Sequence, residues 1–200
     1  MHRAILFLIV LILCAAKKQE KDHFLKLAEA AEGETKLKVK YAPEYVRIKY
    51  PGGDVPENTG VCTDLVIRAY RKLGLDLQKE VHEDMEKNFS KYPKFWGRKS
   101  TDANIDHRRV PNLMIFFERK GEVLKITKNA SDFKPGDLVT WNLNNKKSAS
   151  GVTHIGIVST QKSANGTNYL IAHNIGNGNE LSDMLFNYTI IGHYRYNKSE

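Results

Sequence analysis

Gly60-Val61-Cys62-Thr63-Asp64-Leu65-Val66-Ile67-Arg68-Ala69-Tyr70-Arg71-Lys72-Leu73-Gly74 is the stretch on which the reading of this chain turns. Leu65, Val66, Ala69, Tyr70 and Leu73 recur at steps of three and four, and Gly74 closes the run, so the segment reads as an amphipathic helix. Ahead of it, Tyr50-Pro51-Gly52-Gly53-Asp54-Val55-Pro56 and then Asn58, Thr59 and Gly60 read as loop. Cys62 therefore falls where a loop turns into a helix. There the unpaired N–H groups and the positive end of the helix dipole favour thiolate over thiol, and the thiolate is the nucleophile. The competing reading is that Cys62 is a small buried hydrophobe, as most free cysteines are.

Working outward, the 200 residues carry 41% hydrophobic side chains and 27% charged ones, which suits one globular body with a core. The net charge of +8 implies an anionic partner: a nucleic acid, a membrane surface or an acidic polymer such as a cell wall. No RGG tract, zinc-knuckle spacing or dense basic helix marks a nucleic-acid binder. At the N-terminus, Met1-His2-Arg3 precedes the apolar run Ala4–Ala16, which is followed at once by Lys17-Lys18-Gln19-Glu20. Residues 1–16 read as an export signal cleaved after Ala16. Leu11-Ile12-Leu13-Cys14 leaves a lipid anchor on Cys14 open, and an uncleaved membrane anchor is a third option. All three place the body outside the cytoplasm, in the periplasm or cell envelope. Cys14 lies in this export segment, so Cys62 is left as the single cysteine of the mature body. Exported proteins usually hold cysteines in pairs, and an unpaired thiol in an oxidising compartment points to use.

The rest of the chain divides by periodicity. Lys21–Glu32 reads as a short helix stopped by Gly33, and 36–50 as extended, which makes 17–44 an N-terminal helix and extended segment ahead of a domain over 45–200. Leu77–Phe89, with Leu77, Val81, Met85 and Phe89 at spacing four, is a second helix ended by Tyr92-Pro93. His82 and Glu83 lie on or beside its stripe, but no His-Glu-x-x-His accompanies them, so a metal site is not expected. Lys94–Asp106 is loop. A helix capped by Asp106 follows, with Leu113, Phe116 and Phe117 facing inward and Pro111 in its first turns or at its start. The C-terminal third then changes character. Leu138–Trp141, Val152–Ser159, Tyr169–Asn174 and Ile190–Tyr196 read as strands with short connections, hence antiparallel. Helices first and a small antiparallel sheet second make the class α+β.

A thiol nucleophile needs a base, and the base a third polar group. His154 and His173 fall on successive strands. If those strands pair as a hairpin, the two share a face, and a helix N-terminus packed on that face brings Cys62 to His154.

Pro135-Gly136-Asp137-Leu138-Val139, Thr153-His154-Ile155-Gly156-Ile157-Val158 and Ile171-Ala172-His173 resemble the signature of the NlpC-type cell-wall peptidases, which are papain-like cysteine hydrolases. The body from Tyr45 nearly to the C-terminus is more closely similar to the bacterial family called domain of unknown function 1287. The stretches that carry this are PGGDVPENTGVCTD, VHEDM, NIDHRRVPNL, THIGIVS, HNIGNG and GHYRY. The resemblance implies a papain-like (NlpC-type) fold with the catalytic cysteine opening a helix on a small antiparallel sheet. It implies Cys62 as nucleophile, His154 as general base and acid, and His173 as the orienting residue. It departs at Val61-Cys62-Thr63-Asp64, where NlpC-type enzymes usually show Asp-Cys-Ser, and in the long stretch before Pro135. That stretch builds a different wall, from which Arg108 or Arg109 is expected to meet an anionic group of the substrate; Asp64 and Asn174 are the other expected substrate contacts.

The expectation is an exported amidase or peptidase acting on peptidoglycan peptides, monomeric and without a cofactor. A non-catalytic envelope-binding module and an acyltransferase on the same fold are the alternatives, since fold does not settle the reaction.

Overall fold

The computed structural model describes the backbone of residues 2–151 and 153–198, and the side chains of 18–19, 21–151 and 153–198. Helix α1 runs over His2–Thr35. The expected stop at Gly33 is overridden, because Phe24, Leu27, Ala28 and Ala31, at steps of three and four, are all buried and hold the last turns in place. The export reading of Ala4–Ala16 rests on side chains outside the described residues. Among the described residues, no helix is long and apolar enough to cross a membrane.

The extended stretch after α1 is largely irregular. Only β1 (Lys40–Tyr41) forms a ladder, in parallel with β2 (Thr59–Gly60), where Tyr41 pairs with Gly60. Helix α2 (Cys62–Lys72) follows at once. Its side chains Leu65, Val66, Ile67, Ala69 and Tyr70 are buried, each large one contributing about 1.5–3 kcal/mol by leaving water. Gly74, with φ +82°, ends it in the left-handed conformation that favours glycine.

Helix α3 (Leu77–Asn88) is capped by Asp76, which accepts from the Gln78 N–H. The next helix, α4 (Val110–Lys120), begins later than expected: Asp106–Arg108 forms a separate 3-10 turn, and Arg109, not Asp106, is the N-cap. Pro111 sits in the first turn, where its missing N–H costs nothing.

A six-stranded antiparallel sheet takes up the remainder: β3 (Glu122–Val123), β4 (Leu138–Asn142), β5 (Thr153–Lys162), β6 (Tyr169–Asn174), β7 (Asn179–Ser182) and β8 (Thr189–Arg195), in the order β3-β8-β4-β5-β6-β7. Strands β3 and β7 give little β-branched signal and were not expected. The sheet is buried on both faces. Leu138, Ile155, Ile157 and Ala172 join α1, α2, α3 and α4 in one core. Val139, Trp141, Val158 and Ile171 form a second core with Phe133, Met184 and Leu185. The class is α+β, helices packed on an antiparallel sheet.

Candidate active site

Cys62 is the first residue of α2, and Val61 ahead of it is extended at φ −126°, ψ −175°. Asp64 closes the turn: its Oδ2 accepts from the Val61 N–H at 2.7 Å. Arg108 then grips the same carboxylate with two bonds, Nε to Oδ1 at 2.9 Å and Nη2 to Oδ2 at 3.0 Å. Its remaining N–H groups donate to the carbonyls of Glu44 at 3.1 Å and Ala42 at 3.3 Å. Thr63 donates to the Arg108 carbonyl at 3.3 Å. With side chains 2% and 3% exposed, Arg108 and Asp64 are both fully engaged inside the protein and are not free to meet a substrate. This corrects the sequence expectation for the pair: they fix the start of α2. Arg109 is also engaged, its guanidinium 4.0 Å from the centre of the Trp96 ring.

The two histidines come together as the hairpin expectation required. Strands β5 and β6 pair antiparallel, and His154 Nε2 lies 3.1 Å from His173 Nδ1. His173 Nε2 lies 2.6 Å from Ser182 Oγ on β7 and 3.6 Å from Glu180 Oε1. The ladder between β5 and β6 runs from Ile157–Ala172 outward and includes neither His154 nor His173. These contacts are satisfied by protons running in either direction along the row. If His154 Nδ1 is to receive a proton, Nε2 carries hydrogen and donates to His173 Nδ1. His173 then donates from Nε2 to Ser182 Oγ.

One expectation fails. Alternation along β5 puts His154 on the face of Gly156 and Val158, beside Trp141, at 5.9 Å between ring centres. Helix α2 packs on the opposite face, with Ile155 and Ile157. The Ile155 N–H, one residue from His154, is among the groups that act on the thiol. Among the described residues no hydrogen bond joins Cys62 to His154. His154 lies at the end of the sheet where β5 begins, and His173 near the end of β6, on the face opposite to α2.

Burial sets the protonation states. Cys62 is 7% exposed, and desolvation pushes its thiol up to about 11; the Ile155 N–H opposes this and the Asp64 carboxylate adds to it. The helix-terminus effect expected to favour thiolate is outweighed. Desolvation lowers His154 to about 3, with His173 adding to the effect, and lowers His173 to about 4. At neutral pH all three are uncharged.

Two further residues frame the site. Tyr41 is raised above the ordinary phenol range by burial and then by Cys62, which places it in the thiol's electrostatic range. Its alternating neighbours signalled a strand but not the pairing with Gly60. Asn174 is buried, donating to the Gly60 carbonyl at 3.4 Å and to Asn179 Oδ1 at 3.1 Å; it braces the approach to Cys62 and is not exposed to a substrate. Among the described residues no group of three His, Cys, Asp or Glu is arranged to hold a metal ion.

A family model described as "Domain of unknown function (DUF1287)" matches residues 28–196. The chain belongs to the DUF1287 family. The match begins inside α1, whose buried face the fold requires, rather than at Tyr45. The uncharacterized protein YijF of Escherichia coli K12 is 49% identical over 172 residues, covering 86% of this chain and 81% of its own length. Two solved structures from Trichomonas vaginalis, NlpC1 and NlpC2, are similar at TM-scores of 0.46 and 0.44, each at 17% identity. They cover 88% and 87% of this DUF1287 chain, which spans 45% and 47% of theirs.

Proposed function

We propose that this DUF1287 protein is an exported papain-like cysteine hydrolase of the NlpC type, cleaving amide bonds in peptidoglycan peptides. The observation that carries the proposal is the row His154–His173–Ser182, linked at 3.1 and 2.6 Å, with His154 next in sequence to Ile155, whose N–H acts on the helix-tip thiol. A core histidine needs one partner; an oriented chain of two histidines and a hydroxyl beside a lone helix-tip cysteine is the arrangement of a base with its orienting group. The charge of +8 suits an acidic polymer, and the apolar run Ala4–Ala16 suits export.

In this mechanism His154 Nδ1 takes the Cys62 proton, and Sγ attacks the amide carbonyl carbon. The oxyanion forms at the start of α2, where the first backbone N–H groups of a helix lack intrahelical partners. Collapse breaks the C–N bond, with His154 returning the proton to the leaving amine, and water then hydrolyses the thioester. His173 holds His154 in the tautomer that leaves Nδ1 as acceptor. The reaction requires the thiol, uncharged and covered at rest, to be uncovered and turned towards His154.

That burial favours a second reading, a binding module that keeps the fold without turnover. One experiment separates them: mass spectrometry of soluble peptidoglycan fragments incubated with the wild type and with Cys62→Ala. Addition of water to an amide, lost in Cys62→Ala, is the expected result. Identical products from both, or intact fragments throughout, removes the hydrolase reading. Fragments joined without water would make the protein an acyltransferase.

A further inference from the structure

The row of histidines has a direction, and the direction decides whether it can serve a thiol. In one direction His154 donates from Nε2 to His173 Nδ1, and His173 donates from Nε2 to Ser182 Oγ, which leaves His154 Nδ1 as an acceptor. In the other, the Ser182 hydroxyl donates to His173 Nε2, and His173 donates from Nδ1 to His154 Nε2. A neutral His154 then carries its hydrogen on Nδ1 and has no lone pair there to take a proton. Ser182 does not choose between the two, because a hydroxyl both donates and accepts.

A second residue of β7 faces the same ring nitrogen. Glu180 is the register partner of His173, and Ser182 lies two residues further along the strand, so both stand on the His173 side of the sheet. Glu180 Oε1 is 3.6 Å from His173 Nε2. That is too long for a hydrogen bond of its own. A carboxylate only accepts, however, so it attracts an N–H at Nε2 and repels a lone pair there. The His173 side chain is 1% exposed, which shields its end of the contact from water. The Glu180 side chain, 40% exposed, is screened by solvent, which limits the effect to a bias between tautomers. Burial lowers His173 to about 4, so Glu180 does not charge the ring. What it sets is which nitrogen holds the single proton.

We propose that Glu180 is a positioning residue for this site: its carboxylate keeps hydrogen on His173 Nε2 and, through the contact between the two rings, leaves His154 Nδ1 unprotonated as the base. The need for a base rests on the hydrolase reading; the direction of the row does not.

The test reads the tautomers in the full chain, labelled with heavy nitrogen at histidine, by long-range proton–nitrogen NMR at neutral pH. His154→Gln and His173→Gln supply the assignments. The wild type is expected to hold hydrogen on Nε2 of both rings, in about tenfold excess over the opposite direction. Glu180→Gln puts an amide that donates as well as accepts in place of the carboxylate, and the excess should vanish. Glu180→Lys, which only donates, should invert it. Ser182→Ala keeps the carboxylate and should leave the excess in place. On any peptidoglycan fragment that the wild type cleaves, Glu180→Lys should lower kcat about tenfold with KM unchanged, in step with the lost tautomer. Hydrogen on Nδ1 of His154 in the wild type, tautomers unmoved in both Glu180 variants, or loss of the excess in Ser182→Ala overturns the proposal. So does an unchanged kcat in Glu180→Lys when the row has inverted. The expected tautomers, alongside no cleavage of any fragment by the wild type, sink the hydrolase reading and leave Glu180 as the residue that directs the row.

Discussion

Two polar clusters are buried within a few residues of each other, and they solve burial in opposite ways. Asp64 and Arg108 form an ion pair in which a bidentate grip, the Val61 N–H and two backbone carbonyls meet their hydrogen-bonding needs. His154, His173 and Cys62 go neutral, because desolvation governs each. The first arrangement is rigid and closed. The second keeps proton donors and acceptors that are not committed to an ion pair, which is what a reactive group requires. An arginine near a thiol is thus the scaffold here, and the uncharged row is the candidate machinery.

The sharpest break of this contrast is Arg108→Ala. It strands the Asp64 carboxylate in the interior, and a loss of about 3–5 kcal/mol in urea unfolding is expected. Arg108→Lys should recover little, since an ammonium cannot reproduce the two-pronged grip. A loss below about 1 kcal/mol would mean that Asp64 is not held as described.

Acidification acts on the other cluster. His154 and His173 are lowered to about 3 and 4 from 6.5, chiefly by burial, and outside this cluster burial lowers His107, in the turn Asp106–Arg108, to about 3. Below pH 6.5 the unfolded chain takes up protons that the folded one refuses, so the unfolded state binds more protons and stability falls with pH. The urea midpoint should drop steadily from about pH 6.5 to about pH 4, although Asp106, raised by burial, works in the opposite sense. A double His154→Gln/His173→Gln variant should show a shallower decline, and an unchanged slope would place the lost protons elsewhere.

His173→Gln is the smaller structural change. It disturbs the partners of His154 Nε2 and Ser182, for an expected loss of about 1–3 kcal/mol. Smallest of all is Cys62→Ala, a near-isosteric exchange expected to alter stability by less than about 1.5 kcal/mol. Its counterpart in the wild type is the pH profile of iodoacetamide alkylation, expected to rise towards pH 11 in the substrate-free protein. A midpoint below the ordinary thiol value of about 8.5 would show that the helix terminus outweighs burial.

The local features of the site were readable from the residues. The helix start at Cys62 came from loop signals meeting a three-and-four stripe, and the shared face of His154 and His173 from period-two strands joined by a short turn. Three things were not readable. Alternation says that His154 and Ile155 face opposite ways, but not which face α2 covers; the helix chose the face of Ile155. Arg108 looked like a surface charge because its partner lies 44 residues away. Tyr41 reads as one residue of an extended run, and its parallel pairing with Gly60, two residues ahead of Cys62, comes only from the fold.

The sequence by itself determined the α+β order, the position of Cys62 at a helix tip and the two-histidine hairpin, since each depends on periods and turn chemistry spanning a few residues. Tertiary structure decided which cations are buried and which are free, where the thiol rests, and that the site is uncharged at rest. Those outcomes depend on contacts between distant segments and on water removed from around them, and neither leaves a mark on the local pattern of residues.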